Sequence, residues 1–361
     1  MKRLRMRKKR LLFLALNLLL ALAVLAGLIA IRHLSGLLET QKEAQRWRGD
    51  NELDFSQISC FIPTDDRIGI TDVYAFRYAM LDKFHEAALD VDNDSTLFVD
   101  AWSTGGKGVA STSLGRGDVI VTAVGGAFFD FHPIRLLSGN YLTEGDLMQD
   151  RVLLDEDTAW LLFGGTDLTG LELRIDNVPF VVAGVIQREQ DFASRKAYTD
   201  GMGLFMSYDA WKRLHEDAGV TCYELVMAEP VNNFAVNFVR EKFPIGNGVI
   251  LENSERFTVD HLLRLLGEFG VRSMQSRSIS YPYWENAARC IEDWCTLLLL
   301  LSSMASILPA ITLIVWLVRW LRRGKDKLED ELLPDWKEKA EEAIRVRQRR
   351  RWEKQHGYHE K

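Results

Sequence analysis

The chain opens on a basic decapeptide and then runs through residues 11–31 without a charge; a second uncharged apolar run covers 295–318. An α-helix rises about 1.5 Å per residue, so roughly 20 apolar residues cross a hydrocarbon core. Both runs reach that length and predict membrane-spanning helices. The stretch between them has shorter periods. Residues 71–89 put Val73, Phe76, Ala79, Met80 and Phe84 on one helical face, with Thr71 and Asp72 at its start. Strand patterns follow at 96–102, 108–113 and 118–124, with glycines between them, and again at 151–154. A helix over 156–163 stops at Gly164-Gly165, and 171–175 with 179–186 reads as a hairpin turning on Asp176-Asn177. Strands at 202–206, 223–228 and 248–252 alternate with helices at 208–218, 233–243 and 257–269. Residues 34–48 read as a short polar helix, 49–69 as irregular chain, and 285–294 as the lead into the second span. Strands and helices mix without a strict βαβ order, which predicts an α+β domain with no internal repeat.

The flanks of the spans orient them. Lys2, Arg3, Arg5, Arg7, Lys8, Lys9 and Arg10 precede the first; Arg319, Arg322, Arg323, Lys325 and Lys327 follow the second. Basic residues beside a span stay cytoplasmic, so both ends of the chain are expected inside. The plan is a basic N-terminus (1–10), a first transmembrane helix (11–32), an extracytoplasmic domain (33–294), a second transmembrane helix (295–318) and a basic, mostly helical cytoplasmic tail (319–361). Trp316 and Trp320 suit an inner aromatic belt, and Trp294, Trp284 and Tyr283 an outer one. A cleaved signal peptide fits the first run less well. Its apolar length exceeds the usual 7–15 residues or so, and Ile29-Ala30-Ile31-Arg32-His33 offers no small-x-small site. Pro309 removes one helical hydrogen bond in mid-span, with Ser302, Ser303 and Ser306 near enough to satisfy freed backbone groups.

Charge sharpens the division. The whole chain carries −6, but residues 33–294 hold 23 Lys/Arg against 41 Asp/Glu, a balance of −18. An acidic exterior domain excludes nucleic acid as a partner, since phosphate contacts need clustered Lys and Arg. The tail is the opposite. After Pro334, Asp335 and Glu338 resemble a capping box, Glu341 and Arg345 form an i,i+4 pair, and Arg345, Arg347, Arg349, Arg350 and Arg351 stand beside Trp352. Such a cluster suits anionic lipid or an acidic partner, and a plain topology signal accounts for it equally well.

Catalytic chemistry is sparse. Gly105-Gly106-Lys107-Gly108 lacks the upstream glycine and following Ser/Thr of a P-loop and reads as a turn. Asp90, Asp92 and Asp94 alternate like a calcium loop, but Ser95 and Ala101 stand where glycine and glutamate belong, so a solvated turn is expected. The seven histidines are scattered, with no HExxH or Cys/His spacing for zinc and no GxSxG elbow for a nucleophile. Of four cysteines, Cys60 and Cys222 are candidates for an exterior disulfide, while Cys290 and Cys295 sit at the edge of the second span as free thiols. No catalytic, cofactor-binding or metal-ligating residue is predicted.

One resemblance gives the pattern a direction. Val121-Thr122-Ala123-Val124 with Phe128-Phe129 comes first, then Leu136-Leu137-Ser138-Gly139-Asn140-Tyr141-Leu142 and Asp146. Arg151-Val152-Leu153-Leu154, Ala159, Leu162-Phe163-Gly164, Gly170, Ile175 and Phe180-Val181-Val182-Ala183-Gly184-Val185 follow in order. This series resembles the MacB-type periplasmic core domain of MacB/FtsX-like ABC-transporter permeases. Members usually carry Gly-Arg where Gly139-Asn140 stands here. The resemblance implies an exterior domain with a mixed porter-like part and a β-rich insertion. It also implies no catalysis, and passage of movement between cytoplasmic ATPase subunits and events outside. Family members have three membrane helices after this domain and a coupling segment; this chain shows one helix and a basic tail, and no fused nucleotide-binding domain.

The leading expectation is therefore a non-enzymatic permease-like subunit without cofactors. Its partners are a separate ABC ATPase, a second permease chain and the lipid bilayer. The residue 335–352 helix stands in for the missing coupling segment. An exterior sensor or scaffold recruiting partners through the basic tail is the alternative, and a tethered hydrolase the weakest reading.

Overall fold

The computed structural model describes residues 2–49, 53–66, 68–86, 97–143, 145–198, 202–272, 279–327 and 333–355. The chain divides into two compact units, Ile29–Leu299 and a smaller one made of Met1–Leu28 with Leu300–Lys361. The smaller unit holds most of α1 (Lys2–Ser35), the distal part of α10 (Tyr283–Lys327) and α11 (Leu333–Gln355). Helices α1 and α10 are long and apolar enough to cross a membrane. Their apolar residues, such as Leu12, Leu19, Leu313 and Trp316, are exposed, as lipid-facing groups are. Helix α11 begins at Leu333, so Asp335 lies in its first turn instead of capping it; the Glu341–Arg345 pair is present at 3.7 Å.

The larger unit is built on one ten-stranded sheet in the order β10-β1-β9-β2-β3-β8-β5-β7-β4, with β6 bridging β2 and β7. The strands are β1 (Phe55–Phe61), β2 (Phe98–Ser111), β3 (Arg116–Gly126), β4 (Arg135–Gly139), β5 (Arg151–Asp155), β6 (Glu172–Ile175), β7 (Val178–Gln187), β8 (Met202–Ser207), β9 (Cys222–Ala228) and β10 (Val249–Glu252). Helices α2 (Glu43–Arg48), α3 (Ile70–Glu86), α4 (Phe128–Phe131), α5 (Glu156–Phe163), α6 (Phe192–Ala197), α7 (Tyr208–Leu214), α8 (Phe234–Lys242) and α9 (Val259–Arg272) complete the unit. The expected α+β class holds.

The sheet has two halves. Strands β10, β1, β9 and the first part of β2 form an open antiparallel half. Strands β2, β3, β8, β5, β7 and β6 pair in turn, and β6 pairs back to β2 at Ala110↔Ile175, which closes a six-strand ring. The ring has its own apolar cluster, including Val121, Val152, Leu154, Val182, Leu204, Met206 and Trp211. Its hairpin turns on Asp176 and Asn177, both at positive φ, as the sequence predicts. Asp155 caps α5 by accepting from Thr158 N at 2.7 Å, and Gly164 ends it in the left-handed conformation.

Two expectations fail here. The glycine run 105–108 is not a turn: it lies inside β2, paired with β3 at Gly106↔Val121 and its neighbours. Its glycines answer a packing demand, because a Cβ on Gly106 would lie 2.1 Å from the Trp211 ring. Residues 55–61 are not irregular but a strand buried over all seven residues. Ser56, Gln57 and Ser59 interrupt its apolar pattern, and each is buried and hydrogen-bonded.

Register also decides the cysteines. Cys60 pairs with Tyr223, and Phe61 with Cys222. Cys60 and Cys222 therefore face opposite sides of the sheet, and both are free, buried thiols. Burial pushes both thiols up, with Glu224 adding to it.

One face of the open half is covered by α3 and α8. Phe76 packs against Phe238 with tilted rings at 5.4 Å and edge-on against Tyr223 at 5.9 Å between ring centroids, and Tyr223 lies flat on Phe243. Asp72 Oδ2 accepts from Gly69 N at 2.8 Å, the reaching-back half of a capping box, and starts α3. The buried Asp100 is held by a bidentate Arg77 and by the Tyr223 hydroxyl at 2.8 Å. The other face receives the ends of the two long helices.

Candidate functional site at the base of the sheet

Helix α10 does not begin at the membrane. Its first three turns lie inside the larger unit, and residue type explains why. Glu285, Arg289 and Glu292 follow one helical face at spacings of four and three, while Ala287, Ala288, Ile291 and Cys295 line an apolar one. Ala287, Ala288, Ile291, Cys295 and Leu299 pack with Leu38 and with Ile31 and Leu34 of α1. The carboxylates turn to a single guanidinium.

That guanidinium is Arg256, from the short turn after β10, with 2% of its surface exposed. It reaches Glu285 through two hydrogen bonds of 2.7 Å and 2.8 Å, and Glu292 through Nε at 2.6 Å. Arg289 adds a 2.7 Å bond to Glu285. Burial alone would drive the Arg256 pKa down. The two carboxylates outweigh it, and the group is held above its ordinary range. Arg256 Nη1 also lies 3.3 Å from Asn253 Oδ1 and 3.3 Å from Gln41 Oε1.

From Asn253 the chain of contacts enters the sheet. Its amide donates to Ser59 Oγ at 2.7 Å, Ser59 lies 3.5 Å from Glu224 Oε1, and Glu224 Oε2 meets His132 Nε2 at 2.6 Å. The His132 ring packs on Trp284, the second residue of α10, with 4.4 Å between centroids. Beside this run, Gln57 donates to Thr40 O at 2.7 Å and accepts from Glu43 N at 3.0 Å. Thr40 and Glu43 belong to the segment leaving α1. Both long helices are thus fastened to β1 by buried polar groups, α1 through Gln57 and α10 through Arg256, Asn253 and Ser59.

The arrangement is a junction of ion pairs and hydrogen bonds. It makes the position of each helix end depend on a sheet strand, because moving either leaves buried polar atoms without partners. Trp284 is buried here against His132 and Tyr283 is half-buried against Tyr198, and neither is in the outer aromatic belt the sequence suggests. Their position about three turns before the apolar run is the reason; Trp294 is 44% exposed. Among the described residues no group of three or more His, Cys, Asp and Glu side chains is placed to hold a metal ion. Asp90, Asp92 and Asp94 lie outside the described residues.

Residues 79–238 match the family described as the MacB-like periplasmic core domain. The domain between the long helices is a MacB-like periplasmic core. The match lies wholly between the two helices that are long and apolar enough to cross a membrane. The core is also similar to the periplasmic region of MacB from Actinobacillus actinomycetemcomitans, at 15% identity and a TM-score of 0.41 over 58% of this chain and 92% of that one. The extracellular domain of the ABC-type transporter YknZ from Gram-positive bacteria aligns at 13% identity and a TM-score of 0.37, over 52% of this chain and 92% of that one. At those scores the likenesses carry none of the assignment, which rests on the family match. No curated protein matches the chain.

Proposed function

We propose that this chain is a non-enzymatic coupling subunit of an ABC-type export or mechanotransmission complex. Both its ends are cytoplasmic, and its core works outside. The observation that carries the reading is the double fastening of α1 and α10 to β1 through Gln57 and Arg256. A displacement of the two helices reaches the sheet through that junction, and a displacement of the core returns the same way. A separate ATPase and a second permease chain supply the power stroke and the rest of the pathway. The α11 helix, whose Arg345–Arg351 stretch is exposed, is the contact offered to the ATPase.

The test is purification of the full chain from membranes with identification of the partners that stay bound, followed by their ATPase rate. An ABC ATPase is expected, and its rate should fall to the unstimulated level when residues 330–361 are removed. Recovery of a kinase or response regulator and no ATPase would replace this reading with that of an exterior sensor.

A further inference from the structure

Helix α9 has one apolar row too many for the protein that surrounds it. At about 3.6 residues per turn its residues fall into three sectors. Leu262 and Leu265, 1% and 8% exposed, pack into the cluster formed by Leu38, Ile291, Cys295 and Leu299 at the ends of α1 and α10. Asp260, Arg264 and Glu268 form a polar sector, and Arg264 and Glu268 line a cleft beside Arg240, Glu252 and Glu255 of the core. The third sector is Val259, Leu263 and Leu266, spaced i, i+4, i+7, at 57%, 49% and 38% exposed. Round the helix it lies about 130° from the polar sector and about 100° from the buried one. Three large side chains in register are not scattered surface residues.

The neighbours say what covers them. Helix α9 lies against the two helices where their apolar runs begin: Leu262 and Leu265 share a cluster with Cys295 and Leu299, and His261 stands 3.4 Å from Glu292, the glutamate just before that run. A helix packed sideways on two membrane spans at this level, polar sector toward the core, presents its remaining apolar sector to the headgroup and acyl boundary. We infer that α9 is an interfacial helix that inserts Val259, Leu263 and Leu266 into the outer face of the bilayer. It would be a third membrane contact of the chain, fixing the height of the core above the lipid. The inference rests on the reading of α1 and α10 as membrane spans, and on nothing about the ATPase.

The experiment uses the full chain in phosphatidylcholine vesicles. Cysteine replaces Leu263, Leu266, Glu268 or, as a control in the first span, Leu22, one at a time in a Cys290→Ser background; Cys60, Cys222 and Cys295 are buried. Each cysteine carries a nitroxide, and its relaxation is compared with dissolved oxygen and with a water-soluble nickel complex. Labels at 263 and 266 should show an oxygen-to-nickel accessibility ratio several-fold above that at 268, approaching the ratio at 22. Ratios at 263 and 266 equal to that at 268, with 22 in lipid, would overturn the inference and leave the spans intact. Dipolar broadening between labels at 263 would overturn it in favour of a second copy of the chain. A water-exposed Leu22 would remove the spans and the inference together.

Discussion

The two halves of the sheet bury their polar groups for different ends. In the closed ring, the buried Asp155 and Thr158 serve the ring itself: Asp155 caps α5, bonds Gly203 N at 2.7 Å and pairs with Arg188. In the open half, Gln57 and Arg256 reach out of the sheet to the segments joined to α1 and α10, and Asn253, Ser59 and Glu224 continue the run of buried polar contacts to His132. A buried ion pair is a poor source of stability, since the desolvation of both charges roughly cancels their attraction. The ring shows that this chain can build a closed, mostly apolar core. Charge at the helix ends is therefore better understood as fixing position: an apolar contact slides, whereas Arg256 has one arrangement that satisfies Glu285 and Glu292 together.

The sharpest way to break that comparison is Arg256→Ala. It takes the buried guanidinium from Glu285 and Glu292, leaving Arg289 and His261 as their nearest cationic neighbours, and a loss of about 3–5 kcal/mol is expected in urea unfolding of the full chain in detergent, followed by tryptophan fluorescence. Arg256→Met combined with Glu285→Gln and Glu292→Leu should recover most of that loss, because the charges go together. The recovered stability should not restore ATPase stimulation in the complex. A stable triple variant that still stimulates would show that the ionic junction fixes nothing a greasy contact could not.

A smaller effect tests the ring. Gly106→Val drives a branched side chain into the Trp211 ring, and overpacking of this kind costs about 1–3 kcal/mol. The loss should leave the Arg256 junction untouched, so a double variant with Arg256→Ala should be additive within about 0.5 kcal/mol. Coupling well above that would mean the halves are one mechanical body.

Gly106 also shows where the sequence was legible and where it was not. Local signals suffice for the α5 helix with its glycine stop, the β6–β7 hairpin, the register of α3 and both long helices, which follow from periods and turn residues within about 20 positions. The glycine run failed because its cause, Trp211, is 105 residues away and acts through a strand pairing. Strand β1 failed for a related reason. Its serines and glutamine look solvent-facing until Thr40, Asn253 and Glu224 are known to meet them. The junction itself left one trace. Glu285 and Glu292 are seven residues apart on one face of a helix entering an apolar run, a costly place for carboxylates without a partner. The partner, Arg256, could not be picked from 23 basic residues in 33–294 without the fold.

The most local effect is expected where the ring closes. Asp176 sits in the β6–β7 turn, and its Oδ1 accepts from Val109 N of β2 at 2.9 Å. That bond lies beside the Ala110↔Ile175 pairing that closes the ring, where the two strands share only two register pairs. Asp176→Ala removes one charge-assisted hydrogen bond and places alanine at a positive φ, for a total near 1–3 kcal/mol. Hydrogen exchange should quicken at Val109 and at the β6 amides, while the amides of β1 and β9 keep their protection. If the loss instead spreads to β1, ring closure also holds the open half in shape, and the division of labour between the two halves dissolves: a helix displacement entering through Arg256 would then be felt as far as the hairpin turn.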